Sequence, residues 1–195
     1  EMHPFDLRRA TQEVIDLLLP KAKQKDLDLI LDFKEGAQEF IIGDSMRIRQ
    51  ILHNLVGNAI KFTAKGAITI SVENQHKVKT AKDKAMVLIS VTDTGIGLTK
   101  EQRRAIFNKF VQADSSTTRK FGGTGLGLSI CQMLVAMLGG EIGVESEAGK
   151  GSVFSFSMLL DITSKDKITD KAVDIGANAL DHGVTTPIKS NRTKE

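Results

Sequence analysis

An α+β fold, with a layer of helices against one face of a sheet, is what this sequence predicts. Three observations point there. Helical and strand periodicities are interleaved along the chain. Several strand-like segments follow one another, which suits a two-layer sandwich better than strict alternation of strand and helix. No internal repeat is visible.

The elements are taken in chain order. Residues 6–25 place Leu7, Ala10, Val14, Leu17, Leu18 and Ala22 at helical spacing, with Asp6 as a cap and Pro20 expected to kink or divide the helix. Leu27, Leu29, Leu31 and Phe33 alternate with mostly polar residues, as in a half-buried strand, and residues 40–42 suit a short partner. Asp44 opens a long helix over about 45–61, with Met46, Ile48, Ile51, Leu52, Leu55, Val56, Ala59 and Ile60 as its apolar positions. Residues 66–74 and 86–93 are strands rich in β-branched side chains, joined by a polar hairpin loop. A short helix at 100–107 precedes a polar, Gly-rich loop, 108–123, and an apolar helix, 125–138, closed by Gly139 and Gly140. Strands at 141–146 and 152–160 end the domain, which covers 1–160. Residues 161–195 lose periodicity and read as a linker or disordered tail.

Composition narrows the function. Of 195 residues 41% are hydrophobic, enough for a sizeable core. A net charge of +3, scattered along the chain, argues against nucleic acid or a membrane surface as partner. No apolar run reaches the roughly 20 residues that span a bilayer. The expectation is a cytoplasmic domain, with any membrane anchor elsewhere in a longer parent. The single cysteine, Cys131, excludes an internal disulfide, and its apolar setting predicts a buried, inert thiol.

Three segments carry chemistry. In Asn54-Leu55-Val56-Gly57-Asn58-Ala59-Ile60-Lys61-Phe62, the residues Asn54, Asn58 and Lys61 share one helix face. Asparagine is a poor helix former, so two on one face suggest an amide oxygen aimed at a hard cation, with Lys61 for a phosphate. The same pattern suits a solvated polar face. In Asp93-Thr94-Gly95-Ile96-Gly97 a strand ends in a carboxylate able to accept from an exocyclic amine, followed by glycines that admit a flat ring. Taken alone, this segment is better read as an ordinary Asp-Thr-Gly turn. In Gly122-Gly123-Thr124-Gly125-Leu126-Gly127-Leu128-Ser129 a glycine-rich run enters a helix, whose first amides and dipole favour an anion. No strand precedes this run and no GxxxxGK[ST] occurs, so dinucleotide-fold and P-loop readings are excluded.

Taken in order, these segments resemble the ATP-binding domains shared by histidine kinases, DNA gyrase, Hsp90 and MutL. Residues 54–62 resemble the N box, and 93–97 and 123–127 the two glycine boxes. Ile106-Phe107-Asn108-Lys109-Phe110 resembles the F box of histidine kinases, and the whole is most similar to hybrid sensor kinases. The resemblance implies a Bergerat fold: a mixed sheet of about five strands with about three helices on one face. It implies ATP and Mg²⁺ as cofactors. Asn58 would hold the metal, and Asn58 and Lys61 would be the catalytic pair, with Asn54 in support. Phe62 would pack on the adenine, Asp93 would take its amine, and Gly95 and Gly97 would line the base. Residues 108–123 would form a mobile lid, variable without nucleotide, with Phe107 and Phe110 at its hinge. Gly123, Thr124, Gly125, Leu126 and Gly127 would form the phosphate loop; Arg119 and Lys120 are either further phosphate contacts or solvated charges.

The family's acceptor histidine sits in a separate dimerisation hairpin. His3, His53, His76 and His182 do not fit its box. The expected activity is therefore protein-histidine kinase in trans, by a fragment that is itself monomeric and feeds a response regulator or receiver domain indirectly. The family's ATPases carry a glutamate where this chain has Asn54, and a neutral amide cannot activate water. Two alternatives stand beside the kinase: an ATPase of the gyrase or Hsp90 type, and a degenerate nucleotide-responsive interaction module.

Overall fold

A computed structural model describes residues 1–75, 81–107 and 126–168. Seven strands form one sheet: β1 (His3–Asp6), β2 (Leu27–Phe33), β3 (Phe40–Gly43), β4 (Gly66–Asn74), β5 (Lys84–Asp93), β6 (Ile142–Glu147) and β7 (Gly151–Ile162). Their order is β1-β3-β7-β5-β4-β2, with β6 also on β7. The β2–β4 pair is parallel and the remaining pairs are antiparallel, so the sheet is mixed. The described helices are α1 (Leu7–Lys23), α2 (Ser45–Phe62), α3 (Lys100–Ala105) and α4 (Gly127–Met137).

The α+β sandwich with a mixed sheet is as expected, with seven strands rather than about five. The strand not foreseen is β1, four residues at the sheet edge that include Pro4. Proline cannot donate to a ladder, and an edge strand is where this is tolerated. Pro20 does not divide α1: the helix runs through it to Lys23, one turn short of its end. The strand before the expected tail reaches Ile162, and a 3-10 turn at Lys165–Lys167 follows.

Alternation explains the core. In β5 the side chains of Ala85, Val87, Ile89, Val91 and Asp93 are buried, and the residues between them are half-buried. Ile68, Ile70 and Val72 of β4 and Phe156, Met158 and Leu160 of β7 continue this buried layer. Against it lie Ile48, Ile51, Leu52, Leu55 and Val56 of α2, with Ala10, Val14 and Leu18 of α1 and Val135 of α4. Two residues assigned to apolar helix positions, Leu17 and Met46, instead face solvent, at 67% and 72% exposure. Each lies on the flank of its helix stripe; Ile15 and Ser45 take the buried places. Side-chain caps set where the helices start: Asp6 accepts from the Arg9 amide at 2.8 Å, and Asp44 from the Arg47 amide at 3.1 Å.

Candidate functional site

Helix α2 runs between two structural junctions. At Asn54 it meets the start of α4. A β-carbon on Gly127 would come within 2.6 Å of the Asn54 Oδ1 and 2.8 Å of its Nδ2, so any side chain at 127 would displace that amide. The Asn54 Nδ2 donates to the Cys131 sulfur at 3.3 Å, and the Asn58 Nδ2 lies 3.5 Å from the Asn54 Oδ1. Asn54 is thus held by α4 and in turn accepts from Asn58 one turn further along α2. Cys131 is buried, and burial pushes its thiol up to about 11, partly countered by Asn54, which makes it inert at neutral pH.

Among the described residues no side chain caps the start of α4. The Ser129 hydroxyl turns back to the Leu126 carbonyl at 2.9 Å and leaves the first amides to another acceptor. Leu126 and Gly127 stand at this helix start as expected. Phe110, Gly123, Thr124 and Gly125, and the lid with Arg119 and Lys120, lie outside the described residues.

At its C-terminal end α2 meets the turn after β5. Asp93 is 7% exposed; its Oδ1 accepts from the Gly95 amide at 2.8 Å, and the Ser152 amide also bonds the carboxylate. Burial raises its pKa above the ordinary value of an aspartate, against the pull of those two amides. A β-carbon on Gly95 would lie 2.6 Å from the Phe62 carbonyl oxygen, 2.8 Å from the Asp93 Oδ1 and 2.9 Å from the Thr63 Oγ1. Gly95 is therefore the close approach that seats Asp93 beside the end of α2. Gly97, at φ +65°, packs on the β6–β7 turn, where a β-carbon would come within 2.0 Å of the Glu147 carbonyl oxygen. Lys61 lies over the Phe62 ring at 4.8 Å, and Phe107 packs edge-on against Phe154 at 6.5 Å.

Asn54 and Asp93 thus mark the ends of a strip along α2. From Asn54 to Thr63 the helix rises roughly 13 Å. An open cavity of about 460 Å³ also reaches Asp93, but it lies beside Arg103, Glu145, Glu147 and Lys150 and includes none of the α2 residues.

The sequence profile of the family described as histidine kinase-, DNA gyrase B-, and HSP90-like ATPase matches residues 43–162, which contain both junctions. The chain belongs to this family. Within it, the similarity runs to histidine kinases. The chain is 42% identical over 182 residues to the sensor protein GacS of Pseudomonas syringae pv. syringae, covering 92% of this chain and 20% of that protein. It is 43% identical over 162 residues to the signal transduction histidine-protein kinase BarA of Escherichia coli, covering 83% and 17%. It therefore spans about a fifth of the length of these curated relatives. Among solved structures, the catalytic domain of histidine kinase ThkA matches with a TM-score of 0.63 at 30% identity, covering 81% of this chain and 95% of that one. Full-length ShkA in complex with AMPPNP matches with a TM-score of 0.71 at 32% identity, covering 84% and 32%. The fold of this ATPase-family domain is thus the Bergerat fold of histidine kinase catalytic domains.

Three contributors to the site were not anticipated. Lys25 donates to the carbonyl oxygens of Ile60, Lys61 and Thr63, clasping the end of α2. Ser152 faces Asp93 across the β5–β7 ladder. Thr63 is wholly buried beside Gly95. Only Thr63 had a local signal, its place directly after Phe62 at the helix end.

Proposed function

We propose that this domain binds Mg-ATP and donates the γ-phosphoryl group to a histidine on a separate dimerisation hairpin, as the catalytic part of a sensor histidine kinase. The observation that carries it is the pair of junctions along α2: a buried, amide-oriented carboxylate at one end, and an asparagine pair against an uncapped helix start at the other. An elongated ligand fits that strip, its amine-bearing ring at Asp93 and its anionic end at α4. Phe62 offers the ring an apolar neighbour, and the α4 amides with Lys61 meet phosphate charge.

The donor set fits Mg²⁺. This ion is held by one or two protein oxygens, and the rest of its shell comes from phosphates and water. In this reading the Asn58 side-chain oxygen is the protein's donor, one helical turn after Asn54 on the same face of α2. A metal there neutralises phosphate charge, and the chain's part in transfer is mainly to position the phosphates.

Asn54 disfavours the hydrolase reading. It is neutral and already engaged with Cys131 and Gly127, so no carboxylate stands one turn before Asn58 to activate water. The domain acts in the cytoplasm as a monomer, and the residues after it serve as a linker within a longer parent. Titration calorimetry with ATP, with and without Mg²⁺, tests binding. Labelled ATP with a purified acceptor hairpin tests transfer; ATP binding without phosphohistidine would leave an inert nucleotide-binding module.

A further inference from the structure

An asparagine amide is nearly symmetric in shape: turned over, it offers a metal two N–H donors in place of an oxygen. Asn58 can serve as a ligand only if something fixes which end of its amide is free. The start of α4 supplies that. Burial keeps the Cys131 thiol protonated, and its S–H donates to the Ile51 carbonyl oxygen, 3.9 Å away. A sulfur oriented in this way presents lone pairs, and it accepts from the Asn54 Nδ2 at 3.3 Å. The Asn54 Oδ1 is thereby set toward Asn58, whose Nδ2 donates to it at 3.5 Å. Among the described residues Asn58 makes no other hydrogen bond, so its Oδ1 is the uncommitted end of the amide. The series has one direction, from thiol to oxygen. The close seat of Asn54 on Gly127, one turn before Cys131 in α4, keeps that amide beside the sulfur.

We infer that Cys131 is a positioning residue for the metal: acting through Asn54, it commits the Asn58 amide nitrogen and so reserves the Asn58 oxygen for the ion that accompanies the nucleotide. This rests on the Mg-ATP reading above. Packing alone does not require a thiol here, because valine fills a similar space in a buried helix. Valine, however, offers the Asn54 amide no acceptor, and both asparagines are then free to turn over. Removing a group that orients a metal ligand typically costs about 10- to 100-fold in metal affinity. Cys131 acts at one remove from the ligand, which places its effect at the lower end of that range.

The test is calorimetric titration of the 195-residue chain with ATP in Mg²⁺ and in EDTA, which gives the gain in affinity that the metal brings. Cys131→Val should cut this gain by about tenfold and leave the affinity in EDTA nearly unchanged. Cys131→Ser, which still donates to Ile51 and accepts from Asn54, should keep most of the gain. Should the valine variant melt below the assay temperature, Cys131→Ala takes its place with the same expectation. In the chain without ligand, nitrogen-15 spectra should show the Asn58 side-chain amide moved in the valine variant and near its original position in the serine variant. An undiminished gain in the valine or alanine variant overturns the inference, as does a loss in the serine variant equal to that in valine. If the unaltered chain binds ATP with no gain from Mg²⁺, the metal falls away and this inference with it. If it binds no ATP at all, the nucleotide reading itself is overturned.

Discussion

The Lys25 ammonium lies 2.7 Å from the carbonyl oxygen of Ile60, 35 residues further along the chain. It also reaches the carbonyl oxygens of Lys61 at 2.9 Å and Thr63 at 3.3 Å. Final carbonyls of a helix lack partners within it, and their partial negative charge favours a cation. The turn between α1 and β2 therefore fixes the end of the helix that carries Phe62 and Thr63. Lys25→Met, which keeps the stem, should lower stability by about 1–3 kcal/mol in urea denaturation. It should also weaken ATP binding, because Phe62 and Thr63 lose their fixed place beside Gly95. Unchanged stability would show that water replaces the ammonium at no cost.

Asp93 should trade stability for binding. Burial raises its pKa in the folded state, so its ionisation opposes folding. Linkage gives the sign: between the unfolded and the raised folded pKa the native state holds more protons, so stability falls as pH rises through that window. Asp93→Asn removes this dependence. At pH 7 the ligand-free variant should be at least as stable as the parent, and its advantage should shrink as the pH approaches 4. ATP affinity should fall by about 1–3 kcal/mol, the worth of a charged hydrogen bond in a buried site. Thermal melts across pH and calorimetry at pH 7 read the two effects separately.

Gly97 and Gly139 share a left-handed backbone, at φ +65° and +68°, but not their surroundings. A β-carbon on Gly97 would meet backbone within 2.0 Å, whereas Gly139 has nothing within 4 Å. Gly139→Ala should cost only the conformational strain, about 1–2 kcal/mol. Gly97→Ala adds a clash with a carbonyl that cannot swing away, for a total of about 3 kcal/mol or more. Denaturation of both variants checks the difference, and equal losses would mean that the β6–β7 turn yields easily.

Cys131 should resist thiol reagents in the native state. With its pKa near 11, about a thousandth of it is thiolate at pH 8, and the side chain is 1% exposed. Ellman's reagent should report one reactive thiol only after denaturant is added. Rapid labelling of the folded protein would contradict the buried contact with Asn54.

Much of this was legible in the sequence where one element makes its own statement. The β-branched run of β5, the apolar stripe of α2 and the caps Asp6 and Asp44 each arise from a local pattern. Patterns at the margin were less reliable. Leu17 and Met46 are apolar and nearly in phase, yet lie far enough round their helices to meet solvent. Strand β1 is too short for alternation to register and exists because β3 offers it an edge. At the site, Asn54, Asn58 and Asp93 were found from their own helix face and strand end. Lys25 was not, because nothing near residue 25 says that α2 ends above it. The wedge of Asn54 against Gly127 likewise exists only once both helices pack.

The last strand of the sheet is also its middle. β7 borders β5 along one side, while β6 and β3 divide the other between them, and it contributes the buried Phe156, Met158 and Leu160. A ribosome making this chain must therefore release residues 151–162 before the two halves of the sheet can join. Until then β3 and β5 present bare edges, so newly made chains halted before residue 151 are the form most in need of a chaperone.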